Sequence, residues 1–320
     1  MRALVTGVTG FVGAHLVHHL VDSGDQVVGL SESDRWPDRS ADLGRICRLE
    51  RLDLTTTSDD EFADLLRRKQ PEAIYHLAAQ SNPRRSLDDP RGTWALNLGG
   101  TLNLLEAVRH SGLAPRVVLV SSGVVYGNPA PEHLPVREDC PVRPNNPYAA
   151  SKAAADLLGI QHALTYGAGV VIARPFNHSG PGQADLYVLA SLARQVAEVE
   201  AGRKDAVVHG DLSVVRDFTD VRDIVRAYRL LAVHGQPGEV YNIGSGRDVS
   251  LQHMLDILRG LARRPIPDRV DPALLRAVDQ PRLLADASRL RADTGWQPAY
   301  ALETTLADML DAWRRAIAAG

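Results

Sequence analysis

Cysteine is almost missing: Cys47 and Cys140 are the only two in 320 residues, with no C-x-x-C pair and no Cys/His spacing that suits a metal. That excludes a disulfide framework or structural zinc and fits a reducing cytoplasm. Long apolar runs are missing as well. No stretch reaches the roughly 18 residues of a membrane span, and Met1–Thr6 leads straight into a glycine loop, so neither insertion nor secretion is expected. Nor is there a surplus of positive charge. With a formal net charge of -3 the chain has no general basic field, so nucleic acid is not an expected partner, and any phosphate must be met by local arginines and backbone amides. Adjacent His18 and His19 cannot share a helical face and have no carboxylate at ligand spacing, so no metal site is expected. No repeat, low-complexity tract or long linker interrupts the chain.

What is present is an apolar content of 44%, enough for a sizeable core, arranged as alternating strand and helix patterns. Short runs rich in β-branched residues occur at Arg2–Thr6, Gln26–Leu30, Ala73–Leu77, Arg116–Ser121, Gly169–Ala173 and Glu239–Ile243. Between them, His15–Ser23, Thr93–His110 and Ser151–Tyr166 carry apolar residues at helical spacing, with Gly24, Gly112 and Gly167 where helices stop. The alternation predicts an α/β fold: a Rossmann-type, doubly wound parallel sheet. From Pro175 the rhythm loosens, and a helix at Leu189–Ala201, a strand at Ala206–His209 and a helix around Leu251–Ala262 predict a smaller C-terminal substrate lobe. Residues 1–174, joined by 217–244, are expected to form the dinucleotide-binding domain; residues 175–216 and 245–320 are expected to form the substrate-binding lobe.

Gly7-Val8-Thr9-Gly10-Phe11-Val12-Gly13 follows the first strand and opens the first helix. Backbone amides there can meet a pyrophosphate at the helix's positive end, and side chains at Gly7 and Gly10 would obstruct it. At the end of the second strand, Ser31 stands where an NAD-preferring enzyme places a carboxylate for the ribose hydroxyls. Serine does not repel a 2′-phosphate and Arg35 can pair with one, although Glu32 and Asp34 pull the other way. NADP(H) is therefore preferred, with NAD(H) possible; the other reading of Arg35 is a solvated loop charge. Asp53-Leu54 either caps the adenine edge or forms a turn.

Tyr148 and Lys152 lie four residues apart after Pro147, which puts phenol and ammonium on one helical face. A nearby ammonium favours phenolate, so a lowered Tyr148 pKa is expected, together with proton exchange with a sugar hydroxyl or ketone. Ser122, at the end of a strand, is placed to bond a developing alkoxide. Gly7/Gly10/Gly13, His76-Leu77-Ala78-Ala79, Asn97 before Gly100-Thr101, Ser122, Tyr148 and Lys152 together resemble the extended short-chain dehydrogenases/reductases along essentially the whole chain. The resemblance implies an NAD(P)-dependent oxidoreductase in which Lys152 also binds the nicotinamide ribose, Asn97 supports the active-site helix and Leu77–Ala79 lines the cofactor. It also implies a homodimer, since relatives pair the helices at Thr93–His110 and Ser151–Tyr166 between subunits.

Arg174–Gln183 and Val215–Asp223 add arginines and an amide suited to a second diphosphate. By the same resemblance, Arg216 and Arg276 hold the substrate pyrophosphate, while Asn177 and Ser81 contact the substrate. Arg216 has a plain alternative as a salt bridge to Asp217. Phe176–Gln183, Arg216–Val225 and Tyr241–Gly246 are especially similar to GDP-4-keto-6-deoxy-D-mannose reductases, which form GDP-D-rhamnose, and also close to GDP-mannose 4,6-dehydratases. Dehydration removes and redelivers water across C5 and C6, and the dehydratases this chain resembles place an acid/base carboxylate just after the catalytic Ser/Thr; here Gly123 and Val124 cannot move a proton. Hydride transfer to the C4 ketone of a nucleotide-linked 4-keto-6-deoxy sugar is therefore the expected reaction. Pro83-Arg84-Arg85 departs from the small or apolar residues of relatives near the sugar. A 4-epimerase with tightly bound NAD is the nearest enzymatic alternative. A cofactor-sensing binding protein is the non-enzymatic one, against which the intact Ser/Tyr/Lys set argues.

Overall fold

The computed structural model describes residues 1–275 and 282–319. Its strands are β1 (Arg2–Thr6), β2 (Gln26–Ser31), β3 (Arg48–Arg51), β4 (Ala73–His76), β5 (Arg116–Val120) and β6 (Val170–Pro175). Then come β7 (Asn177–Ser179), β8 (Val207–His209), β9 (Val215–Asp220), β10 (Val240–Ile243), β11 (Asp248–Ser250) and β12 (Asp268–Val270). The described residues assemble β3-β2-β1-β4-β5-β6-β10 into one sheet in which every pairing is parallel, the doubly wound arrangement expected from the alternating pattern. β4 and β6 are buried at every residue because helices cover both faces, so their sequences run nearly unbroken apolar. β3, reading Arg-Leu-Glu-Arg, has no β-branched residue; it pairs with β2 at the sheet's edge.

The helices are α1 (Phe11–Asp22), α2 (Asp59–Lys69), α3 (Pro83–Asp88), α4 (Pro90–Trp94), α5 (Gly100–Ser111) and α6 (Pro147–Tyr166), then α7 (Val188–Glu200), α8 (Val221–His234), α9 (Leu251–Gly260), α10 (Ser288–Thr294) and α11 (Leu302–Ala319). On one face of the sheet Leu16, Val17 and Leu20 of α1 meet Ile224, Tyr228 and Leu231 of α8. On the other, Phe62 and Leu66 of α2 pack with Leu104 and Leu105 of α5 over Ile74, Val117 and Ile172. Each such leucine contributes about 1.5–3 kcal/mol by leaving water. Local chemistry sets the helix ends. Ser58 caps α2, whose first turn is acidic and last turn basic, and Gly112 and Gly167 close α5 and α6 in the left-handed conformation.

The pattern Thr93–His110 predicts one helix, but α4 and α5 are separated by a π-helical turn, Ala95–Gly99. Asn97 sits in that turn, fully buried, and its side chain makes contacts far along the chain. Apolar periodicity does not report such a turn.

A second layer holds β11-β9-β7, with β9 parallel to β7 and antiparallel to β11, and the parallel pair β8 and β12. Leu192 and Val196 of α7, Met254 and Leu255 of α9 and Leu306 and Leu310 of α11 form its own core. Between these parts α8 returns to the main sheet and β10 extends it beside β6. The buried Asp217 carboxylate accepts from Ser245 N, Gly246 N and Ala285 N at 3.0–3.1 Å, tying β9 to the segment after β10.

Gly13 packs its helix against the loop so closely that a Cβ would lie 2.5 Å from Val8 O and 2.6 Å from Gly7 O. Gly13→Ala is expected to destabilise the protein by about 1–3 kcal/mol, seen as a lower urea midpoint at unchanged m-value; an unchanged midpoint would remove this contact from the account.

Candidate active site

The strand order reverses between β1 and β4, so the loops leaving their carboxyl ends diverge and open a crevice. Gly7 stands at its mouth with φ +66°, and a Cβ on it would lie 2.6 Å from Ala78 N. Only glycine permits that approach. Gly10 differs. A Cβ there would meet nothing nearer than Gly7 O, at 3.2 Å, so the protein's own packing demands glycine far less than a pyrophosphate laid on the loop would. Gly10 is also the N-cap of α1 with no side-chain cap, leaving the first-turn amides of Phe11, Val12 and Gly13 at the positive helix end. These residues fit a dinucleotide.

Half-buried Leu77, Ala78 and Ala79 line the facing loop, where Ala78 N donates to Thr6 Oγ1 at 3.2 Å. Ser31 ends β2; its Oγ accepts from Ser33 N, and Ser33 Oγ from Arg35 N, at 3.2 and 3.1 Å. Arg35 follows, exposed and without an ion pair among the described residues. Asp53 Oδ1 accepts from Thr55 N and Oγ1 at 2.8 and 2.7 Å, bonds that hold its pKa below the usual value, while Leu54 is core.

Asn146 caps α6 on Ala149 N with Pro147 in the first turn, which places Tyr148 at the helix start and Lys152 one turn on. The buried Lys152 Nζ donates to Val120 O at 2.8 Å, pinning α6 to the end of β5 beside Ser122. Ser122 caps a 3-10 turn, Gly123–Tyr126, and lies close enough to the Tyr148 phenol to lower its pKa. The structure thus brings Ser122, Tyr148 and Lys152 to one place.

It corrects the expected acidity of Tyr148. Burial pushes the phenol up to about 12, with Ser122 pulling the other way, and burial draws Lys152 down to about 8 against the attraction of Asp156. A shared helical face does not put phenol and ammonium in contact: the ammonium is held by Val120, and removal from water outweighs what remains of the attraction. A protonated phenol is the form that gives a proton to a ketone oxygen as it is reduced.

Asn97 joins three parts of the site. Its Oδ1 accepts from Gln80 N at 2.8 Å, and its Nδ2 donates to Gln80 O at 3.1 Å and to Ser151 Oγ at 2.9 Å. Ser151 Oγ in turn donates to Tyr148 O at 2.8 Å. A buried chain missed in the sequence runs behind it. Thr101 Oγ1 gives its proton to Asn97 O at 2.6 Å, so its 2.9 Å bond to His76 requires a proton on Nε2, and His76 Nδ1 then accepts from Thr6 Oγ1 at 2.8 Å. Burial drives the His76 pKa to about 3, which keeps the ring neutral. Glycine loop and catalytic helix are linked through this imidazole.

On the substrate side, Ser81 is exposed just before α3, and Ser86 of α3 accepts from Tyr148 N at 3.2 Å. Asn177 lies on β7 opposite Phe218, and Arg216 on β9 opposite Val249, both half-buried. Asp217 spends its carboxylate on the loops described above rather than on the neighbouring arginine. Arg276 lies outside the described residues. His178 Nδ1 is bonded to Phe176 O at 3.0 Å and its ring stacks on Phe11 at 6.5 Å, while His15 Nε2 bonds Pro181 O at 2.9 Å, so the segment from Phe176 to Pro181 is locked to α1. Phe176 has a further effect: a Cβ on Gly123 would lie 2.8 Å from its ring. The position after Ser122 has no room for a carboxylate while that ring stays in place.

Over residues 4–309 the chain matches the family described as GDP-mannose 4,6 dehydratase. It is 37% identical over 313 residues to GDP-6-deoxy-D-mannose reductase of Pseudomonas aeruginosa, covering 98% of this chain and 97% of that protein. The solved structure of RMD from Pseudomonas aeruginosa complexed with NADPH superposes with a TM-score of 0.86 at 36% identity, covering 99% of this chain and 100% of that one. UDP-glucose 4-epimerase of Thermus thermophilus in complex with NAD gives a TM-score of 0.84 at 31% identity, with coverage of 99% and 100%.

Gly123→Ala drives a methyl into the Phe176 ring and is expected to cost about 1–3 kcal/mol by chemical denaturation. Adding Phe176→Leu should recover part of that loss in a double-mutant cycle; strictly additive losses would mean the ring is not what excludes a side chain at position 123.

Proposed function

The chain belongs to the family of GDP-mannose 4,6-dehydratase within the extended short-chain dehydrogenases/reductases, NAD(P)-dependent oxidoreductases, and on that premise we propose that it is an NADP(H)-dependent reductase of a nucleotide-linked 4-keto-6-deoxy sugar, GDP-4-keto-6-deoxy-D-mannose giving GDP-D-rhamnose. The observation that carries the reading is Ser122, Tyr148 and Lys152 assembled beside a Gly123-Val124 pair that offers no acid/base group and, at Gly123, no space for one. Reduction needs one proton donor, and dehydration needs more than this site holds.

NADPH, when bound, supplies the hydride. Gly7–Gly13 and Leu77–Ala79 would hold its phosphates and ring, and Ser31 with Arg35 would receive a 2′-phosphate. Tyr148 gives its proton to the C4 oxygen, Ser122 donates a hydrogen bond to that oxygen as charge develops, and Lys152 meets the nicotinamide ribose with the protons Val120 leaves. Ser81, Asn177, Arg216 and Arg276 would hold the sugar and its diphosphate. In this reading residues 1–174 and 217–244 carry the cofactor, 175–216 and 245–320 the substrate, and the free, buried Cys47 and Cys140 suit the cytoplasm. Among the described residues no helix is long and apolar enough to cross a membrane.

Epimerisation is the second reading, favoured by the likeness to an epimerase that holds NAD. Cofactor oxidation against GDP-, dTDP-, UDP- and CDP-linked 4-keto-6-deoxy sugars separates the two. Stoichiometric NADPH loss, greatest with the GDP sugar and reduced by about 10²–10⁴ in Tyr148→Phe, is expected. Sugar conversion with no net cofactor change would replace reduction by epimerisation, and a Tyr148→Phe variant as active as wild type would remove the catalytic assignment.

A homodimer follows from the same reading. Leu157, Leu164 and Tyr166 of α6 are 68, 79 and 53% exposed, and Leu102 of α5 is 41% exposed, an apolar surface on adjoining helices. Light scattering at micromolar protein is expected to give a dimer, and Leu157→Glu with Leu164→Glu a monomer; a monomeric wild type would contradict it.

A further inference from the structure

Behind Lys152 lies a buried polar chain that the reductase chemistry does not call on directly. Asp156, one turn beyond Lys152 on α6 and 1% exposed, accepts from Arg174 Nε at 2.8 Å. Arg174 Nη1 donates to Tyr126 Oη at 2.8 Å, Tyr126 donates to Asn242 Oδ1 at 2.8 Å, and Asn242 Nδ2 donates to Val136 O at 2.9 Å. The guanidinium also lies 4.9 Å from the centre of the Tyr126 ring. The chain therefore runs from the catalytic helix through β6 and the 3-10 turn to β10, and each partner fixes the next.

We propose that Asp156, held in place by Arg174 and Tyr126, is a positioning residue that keeps the buried Lys152 a cation aimed at the cofactor. An ammonium removed from water tends to lose its proton unless an anion lies close. Among the described residues Lys152 bonds directly only to a neutral carbonyl, Val120 O. His76 on β4, which Lys152 holds further toward its neutral form, and Tyr148, one turn back on its own helix, carry no negative charge at neutral pH. Among the described residues Asp156 alone supplies negative charge to it. Burial raises its pKa and Arg174 opposes that. A guanidinium 2.8 Å away that cannot give up its proton keeps the carboxylate ionised. A residue four positions along a helix lies close enough for attraction without a direct bond, leaving the remaining Lys152 protons for ligand.

The composition makes the test direct. The chain has three lysines, Lys69, Lys152 and Lys204. Lys69 and Lys204 pair with Glu50 and Glu198, at 2.6 and 3.2 Å, and serve as internal references. Lysine labelled with carbon-13 at Cε, in the full-length protein with and without NADPH, should show Lys152 titrating well below the other two. In Asp156→Asn its midpoint should fall by about one unit or more, and Asp156→Glu should restore it. The proposal also predicts a pH-dependent loss of reductase activity, slight near pH 6 and about fivefold or more near pH 8, because only the deprotonated fraction is affected. That arm rests on the reductase reading. If wild type reduces no sugar, that reading fails while the lysine titration still decides this one. Should Asp156→Asn not fold with Arg174 left unpaired, Asp156→Asn/Arg174→Met removes both buried charges and carries the same expectation. A Lys152 midpoint unmoved in the folded variant, or an activity loss equal at every pH, would overturn the proposal.

Discussion

The contact between the backbones of Gly7 and Ala78 organises the site. β1 and β4 are neighbours in a parallel sheet and their loops leave in opposite directions, so one crevice opens where the two chains part. A side chain at Gly7 would wedge that parting wider. From this pair the Thr6, His76, Thr101 and Asn97 bonds reach Ser151 and the catalytic helix. The position of Tyr148 relative to the cofactor loop is therefore set by bonds inside the dry core, where each is stronger than at the surface and an unmade one is costly.

The same dryness sets the chemistry. A phenol near 12 and an ammonium near 8 are consequences of burial, and they keep the Tyr148 phenol protonated at neutral pH. Acid/base function is narrowed by packing as much as by residue choice: the Phe176 ring occupies the space a carboxylate after Ser122 would need. Phe176 also offers its carbonyl to His178, whose ring stacks on Phe11 at the start of α1, so the segment after β6 is tied to the glycine-loop helix.

Much of this was legible in the chain. Gly7, Gly10 and Gly13, the strand runs, the helix stops at Gly112 and Gly167 and the Tyr148/Lys152 spacing are local signals, because backbone conformation, periodicity and i,i+4 geometry act over a few residues. Less legible was β3, whose polar sequence pairs only because β2 presents an edge, and the π-helical turn at Asn97, which serves a partner 54 residues away. The Asp53 bond to Thr55, two residues on, is local, and it is compatible with either a turn or an adenine contact.

By itself, then, the sequence determined the alternation of strand and helix, the glycine loop and the spacing of Tyr148 and Lys152 on one helix, since each is written in neighbouring residues. Only the tertiary structure decided what those side chains are worth. The acidity of Tyr148, the charge environment of Lys152 and the closed space beside Ser122 depend on Val120, Asp156, Arg174 and Phe176, which reach the site from separate segments. Burial and contact at such distances arise when the chain packs, and no local pattern encodes them.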